Sequence, residues 1–155
     1  MEAERTLEVS ARSTAAPGVV WALLVDATAW SRWSRIPRAV REREGTPAPD
    51  GVGSIRKLGA AGFGSREEVV AFEPERHFAY TLLSGLPVRE YRADVELNPD
   101  GDGTTIVWRA RFTPRWPMTG PALEWFLRRT LTGFATGLAR YAANPDLGGF
   151  RATSR

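Results

Sequence analysis

Apolar and polar residues alternate with a period of two near the start of the chain. From Thr6 to Arg12, Leu7, Val9 and Ala11 alternate with charged and hydroxyl-bearing residues. A period of two places the two sets of side chains on opposite faces of an extended segment. The pattern therefore predicts a strand with one buried face and one solvated face.

The spacing changes to that of a helix after Pro17, a residue suited to a first helical turn. Apolar residues then recur at intervals of three and four up to Val25. A second short helix is predicted through Trp30 and Trp33, and Pro37 ends the helical segment. The first strand is thus followed by two short helices.

Strand patterns separated by turn residues fill the middle of the chain. The predicted strands are Ala39–Glu44, Val52–Leu58, Glu67–Phe72, Phe78–Leu83, Arg89–Leu97 and Ile106–Phe112. Most of the segments between them are rich in glycine, proline, asparagine and aspartate, which favour turns. Residues 59–64 form a glycine-rich connection, and residues 98–103 are typical of a hairpin loop.

A long amphipathic helix is predicted near the C-terminus. Thr119 or Gly120 can cap it, and Asn144-Pro145 ends it. Its apolar stripe comprises positions 123, 126, 127, 130, 131, 134, 138 and 141. A long antiparallel sheet with one apolar face needs a cover. We therefore predict an α+β fold, in which a curved antiparallel sheet of about six or seven strands wraps around the C-terminal helix.

The predicted elements contain four distinctive strings, VWALLVDATAWSRW, REEVVAFEPERHFAYTL, GLPVREYRADVEL and GDGTTIVWRARF. In this order they resemble the START-like, Bet v 1-like superfamily of helix-grip proteins, also called the SRPBCC group. The resemblance is closest to the polyketide cyclase/dehydrase and lipid-transport branch, and it runs from Arg5 to Asn144. It implies a helix-grip fold with a cavity for an apolar or aromatic small molecule, and it implies no single reaction.

Composition narrows the chemistry that the chain can carry. Its 155 residues include no cysteine and one histidine, His77, which excludes disulfides, thiolate catalysis and metal sites built from several such residues. His77 alternates with Phe78 and Tyr80 and is predicted to face outward. The glycine-rich segment at 59–64 lacks a phosphate-binding motif. We expect no metal, nucleotide or redox cofactor.

The net charge of +3 comes from 21 basic and 18 acidic residues, and Lys57 is the single lysine. No block of five or six like charges occurs, so nucleic-acid binding is not expected. The N-terminus is acidic where a secretory signal would be basic. No apolar run approaches the roughly 20 residues of a membrane span. We expect a cytoplasmic protein without an integral membrane segment.

Aromatic residues are concentrated at positions predicted to face the interior. By strand parity and helix spacing, the candidates for lining a ligand cavity are Phe78, Tyr80, Arg89, Tyr91, Trp108, Phe112, Phe126, Thr130 and Phe134. Gly133 and Gly137 interrupt the helix at about 1 kcal/mol each relative to alanine, and small residues there would leave space beneath it. The alternative is a filled aromatic core in which the two glycines permit close packing.

Four polar residues are candidates for chemistry in such a cavity: Glu67, Glu68, Arg89 and Tyr91. Glu67 and Glu68 point to opposite faces of one strand, so one of them can face inward as a general acid or base. Parity does not decide which. Arg89 shares the parity of Tyr91, so its guanidinium can bind a carboxylate, phenolate or carbonyl group; otherwise it lies at the strand end with its charge in water.

Two functions are predicted from these features. The first is binding of a small hydrophobic or aromatic ligand, lipid-like or polyketide-like, in the internal cavity. The second is a polyketide aromatase, cyclase or dehydratase, in which Arg89 or Tyr91 polarises a carbonyl and Glu67 or Glu68 moves protons. An interaction module with a collapsed cavity is a third interpretation.

We interpret residues 1–146 as a single helix-grip domain and residues 147–155 as a flexible C-terminal tail. The expected partner is a small hydrophobic molecule. A homodimer contact is also possible at Trp30, Trp33 or Trp116, if these tryptophans are exposed.

Overall fold

The fold is described from a computed structural model that covers residues 3–60 and 63–144. In these residues the elements are β1 (Arg5–Ser13), α1 (Pro17–Val25), α2 (Trp30–Trp33), β2 (Arg38–Arg43), β3 (Ile55–Ala60), β4 (Phe63–Glu73), β5 (His77–Ser84), β6 (Val88–Asp100), β7 (Gly103–Pro114) and α3 (Gly120–Ala143). A 3-10 turn at Ala27–Ala29 joins α1 to α2. The predicted tail at 147–155 lies outside the described residues.

The strands form one antiparallel sheet in the order β1-β7-β6-β5-β4-β3-β2. Strands β2 to β7 follow one another as a meander, and β1 pairs with β7. The first two strands of the sequence are therefore the two edges of the sheet, and the short helices connect one edge to the other. The predicted α+β helix-grip fold is confirmed.

Helix α3 packs against β1, β7 and both short helices. Leu123, Leu127 and Leu131 are buried along its inner face at helical spacing. Gly137 permits the close approach of α2, because a Cβ at this position would collide with the carbonyl oxygen of Trp33. None of the described helices combines the length and the hydropathy that crossing a bilayer requires.

Gly133 and Gly137 do not leave space beneath α3. The backbone of α2 occupies the space next to Gly137, as the close-packing interpretation predicted. Gly133 is exposed, and apart from its chain neighbours and the adjacent backbone of α3, no atom of the described residues lies within 4 Å of the place that its Cβ would take. The space next to Gly133 is therefore at the outside of the helix.

Most predicted elements differ from the structure at their ends. The hairpin loop predicted at 98–103 is reduced to the turn at Gly101 and Asp102, because β6 and β7 pair as far as Asp100 and Gly103. Strand β3 begins at Ile55, three residues later than predicted. The preceding residues form a loop that is closed by its own backbone hydrogen bonds, including Thr46 N–H to the carbonyl oxygen of Val52, 2.9 Å.

Two of the three tryptophans considered for a dimer contact are buried, so this part of the prediction is wrong. Trp30 is 0% and Trp33 is 4% exposed, and their indole N–H groups donate to the carbonyl oxygens of Leu24 and Leu23 at 2.8 and 3.0 Å. These bonds satisfy the polar end of each ring inside the protein, so α2 becomes part of the core. Trp116 is 56% exposed.

Candidate functional site

The interior between the sheet and the helices is lined by aromatic rings. The ring of Trp30 lies edge-on to those of Tyr80, Trp108 and Phe134, with centroids 6.1, 5.9 and 5.4 Å apart. Aromatic pairs in this arrangement stabilise a fold by about 0.5–1.5 kcal/mol each beyond the area that they bury. These four rings form an ordered group that we call the aromatic wall, and α2 contributes Trp30 to it.

The aromatic wall continues across the neighbouring strands. Trp21 of α1 lies edge-on to Phe72 and Phe78, at centroid distances of 5.1 and 6.2 Å. The rings of Phe78 and Tyr80 are 6.2 Å apart, and those of Tyr80 and Tyr91 are 6.4 Å apart. One face of β4, β5 and β6 therefore presents a nearly continuous aromatic surface to the interior.

Glu67 brings a carboxyl group into this aromatic interior. It is buried, whereas Glu68 is half-buried and forms an ion pair with Arg43 at 3.4 Å. Among the described residues, no group hydrogen-bonds Oε1 of Glu67. Burial raises the pKa of Glu67 to about 8, although Arg56 opposes the shift. The carboxyl group is therefore mostly protonated at neutral pH.

Arg56 lies directly across from Glu67 in the antiparallel register of β3 and β4 and is fully buried. Its Nη2 donates to the carbonyl oxygen of Val25 at 2.9 Å and to Oδ1 of Asp50 at 3.4 Å. Its guanidinium carbon lies 5.2 Å from the ring centroid of Phe78. Within the described part of the chain, Nε and Nη1 have no hydrogen-bond partner. Arg56 thus offers two unused donors to the interior.

The buried carboxylate of Asp50 supports Arg56 only weakly, because it is already bound by other groups. Arg41 donates to both of its oxygens at 2.9 Å, and the backbone N–H of Ala27 donates to Oδ1 at 3.3 Å. The bidentate pair that Arg41 forms with Asp50 is stronger than the single contact that Arg56 makes with it. The contact from Arg56 is longer, so much of the guanidinium remains available to another acceptor.

The hydroxyl groups of Tyr80 and Tyr91 complete the polar part of the interior. Trp108 Nε1 donates to the hydroxyl oxygen of Tyr80 at 3.3 Å, and the ring of Tyr91 lies beside that of Tyr80. Burial, and then the neighbouring acidic groups that include Glu67, raise the pKa of both tyrosines. Both hydroxyls stay protonated over the physiological range and can donate or accept hydrogen bonds.

Seven of the residues predicted to line a cavity are buried or half-buried. Those on the sheet are buried and those on α3 are half-buried: Phe78, Tyr80, Tyr91, Trp108, Phe112, Thr130 and Phe134. His77 is half-buried and contacts Glu73 and Asp94 through its two ring nitrogens, at 3.1 and 2.6 Å.

Arg89 and Phe126 do not face the interior, and their predicted placement there is wrong. The register of β6 shifts at a bulge between Val88 and Glu90, so Arg89 is exposed even though Tyr91 is buried. Phe126 is 46% exposed. It precedes the buried Leu127 by one residue, which rotates it by about 100° around the helix axis, beyond the inner stripe.

Arg56 is the interior residue that the sequence-based selection missed. A usable pattern was present, because Arg56 is two residues from the buried Leu58, and residues two apart share a face of a strand. The pattern was weak because the preceding loop carries polar residues. Asp50 offered no periodic pattern, since it lies in the loop between β2 and β3.

Known proteins resemble this chain both in sequence family and in fold. The family model described as polyketide cyclase / dehydrase and lipid transport matches residues 4–143. Ara h 8.0201 is similar in structure, with a TM-score of 0.73 and 15% sequence identity, over 90% of this chain and 98% of that chain. No curated protein matches the sequence.

Two further solved structures have the same architecture. The protein XoxI from Bacillus cereus has a TM-score of 0.71 and 17% identity, over 90% of this chain and 96% of that chain. A START superfamily protein from Mycobacterium smegmatis has a TM-score of 0.75 and 15% identity, over 88% and 96% of the two chains. At these identities the likeness concerns the fold alone.

Proposed function

Since this chain belongs to the polyketide cyclase/dehydrase and lipid-transport family, we propose that it binds a small hydrophobic or aromatic molecule between its sheet and its helices. The observation that carries the proposal is the set of unpartnered polar atoms in the aromatic interior: Nε and Nη1 of Arg56 and Oε1 of Glu67, each without a partner among the described residues. Buried polar groups are normally hydrogen-bonded. A bound molecule with a polar group would satisfy them.

The chemistry of these atoms favours a planar, apolar molecule that carries an oxygen acceptor. The free N–H groups on Nε and Nη1 of Arg56 suit a carboxylate, a phenolate or a carbonyl oxygen. Glu67, with a pKa of about 8, can donate a hydrogen bond to the same molecule. The rings of Phe78 and Tyr80 provide apolar contact, as ligand sites in proteins usually do.

Calorimetric titration with 2-naphthoate, an aromatic ring with one carboxylate, tests this proposal. Arg56→Met is expected to weaken binding by roughly tenfold to a hundredfold, because a charge-assisted hydrogen bond contributes about 1.5–3 kcal/mol. Lys57→Met is the matched control, since Lys57 is the next residue of β3 and is exposed. Unchanged affinity in a folded Arg56→Met variant would contradict the proposal.

A second candidate function, polyketide aromatase, cyclase or dehydratase, is favoured by one observation, the buried and mostly protonated carboxyl of Glu67. In its minor carboxylate form Glu67 can first take a proton from an α-carbon of the substrate, which gives the carbanion and the protonated carboxyl group. The carboxyl group then protonates a carbonyl oxygen of the same substrate while the carbanion attacks the carbonyl carbon, which returns Glu67 to its carboxylate. Arg56 would take the carbonyl-polarising role first assigned to Arg89.

The two candidate functions differ in what Glu67→Gln does. This substitution keeps the size of the side chain and removes its acidic proton. The cyclase interpretation expects turnover of a poly-β-ketone by the wild-type protein and its loss in Glu67→Gln, with 2-naphthoate binding retained. The binding interpretation expects no turnover by either protein.

A further inference from the structure

Large apolar side chains are exposed on the first part of α3 and in the loop that leads into it. Trp116, Met118, Trp125 and Phe126 are 56%, 91%, 66% and 46% exposed. Together with Arg129 we call this surface the α3 outer face. Exposed apolar residues this close together in the sequence favour a surface that meets another apolar phase.

The backbone before α3 directs one of these side chains outward. Met118 has a φ of 67°, in the left-handed region that residues with a Cβ rarely adopt. It is nevertheless the most exposed of the large apolar residues described. The turn therefore holds an apolar side chain in solvent in a backbone conformation that is itself unfavourable.

The helix continues the same surface. Ala122, Phe126, Arg129 and Gly133 recur at intervals of three and four residues, and all four are exposed, so they share the outward side of α3. The guanidinium carbon of Arg129 lies 5.8 Å from the ring centroid of Trp125. Aromatic and basic side chains are thus interleaved on the side of the helix that faces away from the sheet.

The segment that carries this surface has a net positive charge. Between Pro114 and Asn144 the chain has one acidic residue, Glu124, and four arginines, at positions 115, 128, 129 and 140. Glu124 is already paired with Arg5 at 3.0 Å and with Arg128 at 3.7 Å. The excess of arginine favours an anionic partner, and it disfavours a second copy of the same surface.

We propose that the α3 outer face docks on the headgroup region of an anionic lipid bilayer. Tryptophan and phenylalanine side chains favour the membrane–water interface, and arginines near an anionic leaflet add electrostatic attraction. A helix with one such face lies in the plane of the interface and does not cross the bilayer. The proposal does not depend on which molecule the interior binds.

Co-sedimentation with vesicles tests the docking. The wild-type protein is expected to pellet with vesicles of phosphatidylcholine and phosphatidylserine, and much less with phosphatidylcholine alone. Phe126→Ser should lower partitioning about tenfold, and Arg129→Gln about fivefold. Val52→Ser and Arg38→Gln are the matched controls: Val52 is 47% exposed in the loop between β2 and β3, and Arg38 is exposed on β2. Neither control should change partitioning.

Tryptophan fluorescence gives a second readout that does not depend on pelleting. Four of the six tryptophans are buried, whereas Trp116 and Trp125 are exposed. Brominated phosphatidylcholine mixed with phosphatidylserine should therefore quench mainly the two exposed tryptophans. Replacing both with phenylalanine is expected to abolish most of the quenching while partitioning is largely retained.

Three results would overturn the proposal. One is a wild-type protein that stays in the supernatant with phosphatidylserine vesicles. Another is quenching that persists after both exposed tryptophans are replaced. The third is a wild-type dimer in light scattering that Phe126→Ser converts to a monomer, because the surface would then be an interface between copies of this chain.

Discussion

At the scale of single residues, Glu67 links the interior of the protein to the pH dependence of its stability. Burial raises its pKa from the ordinary 4.5 to about 8. Between these values the folded protein holds a proton that the unfolded chain has released. The free energy of unfolding therefore falls as pH rises, with a slope that approaches about 1.4 kcal/mol per pH unit.

Glu67→Gln is expected to remove this slope. Urea unfolding between about pH 5 and about pH 8 should show a larger loss of stability for the wild-type protein than for the variant. Glu68→Gln is the control, because Glu68 is paired with Arg43 and is only half-buried, and it should keep the wild-type slope. Parallel pH profiles for wild type and Glu67→Gln would show that Glu67 ionises normally in the folded state.

At the scale of elements, Gly133 and Gly137 of α3 are expected to respond oppositely to replacement by alanine. A Cβ at Gly137 would collide with the backbone of Trp33, so Gly137→Ala should destabilise the protein by about 1–3 kcal/mol. Gly133 is exposed with open space beside it, so Gly133→Ala should stabilise by about 0.5–1 kcal/mol through helix propensity. Urea unfolding of both variants measures the difference. Effects of the same sign would mean that α3 and α2 do not pack as described.

Strand periodicity predicts some elements well and fails where a strand is interrupted. Alternation located β1, β5 and β7 well, and the helical stripe located α3. The alternation pattern assigns Arg89 to the wrong face of the sheet. Side chains alternate between faces only along an uninterrupted strand, and the bulge at the start of β6 adds a residue. A bulge depends on the pairing of two strands, so one strand's own sequence does not reveal it.

At the scale of the whole molecule, the chain is expected to fold as one domain over residues 1–146. The sheet has β1 and β2 at its edges, and α3 packs on β1 and β7, so elements from both ends of the chain share one core. A chain that ends at residue 146 is expected to unfold in a single transition with the same Tm as the full chain. Circular dichroism during heating measures this. A lower Tm would show that residues 147–155 contribute to the folded structure.

The sequence by itself determined the order of elements, the antiparallel sheet and the helix that covers it. These follow from local periodicity and from turn residues, which act over a few neighbours. It also located most of the aromatic interior, because Phe78, Tyr80 and Trp108 lie in strands with regular alternation.

Only the tertiary structure decided which polar groups meet in that interior. Arg56 faces Glu67 because β3 and β4 pair in one register, and Arg56 keeps unused donors because Arg41 already binds both oxygens of Asp50. Burial and competition for hydrogen-bond partners are properties of residues far apart in the chain and close in space. A periodic pattern can assign a residue to one face of a strand, but it does not indicate which other groups lie near enough to pair with its charge or its hydrogen-bonding atoms.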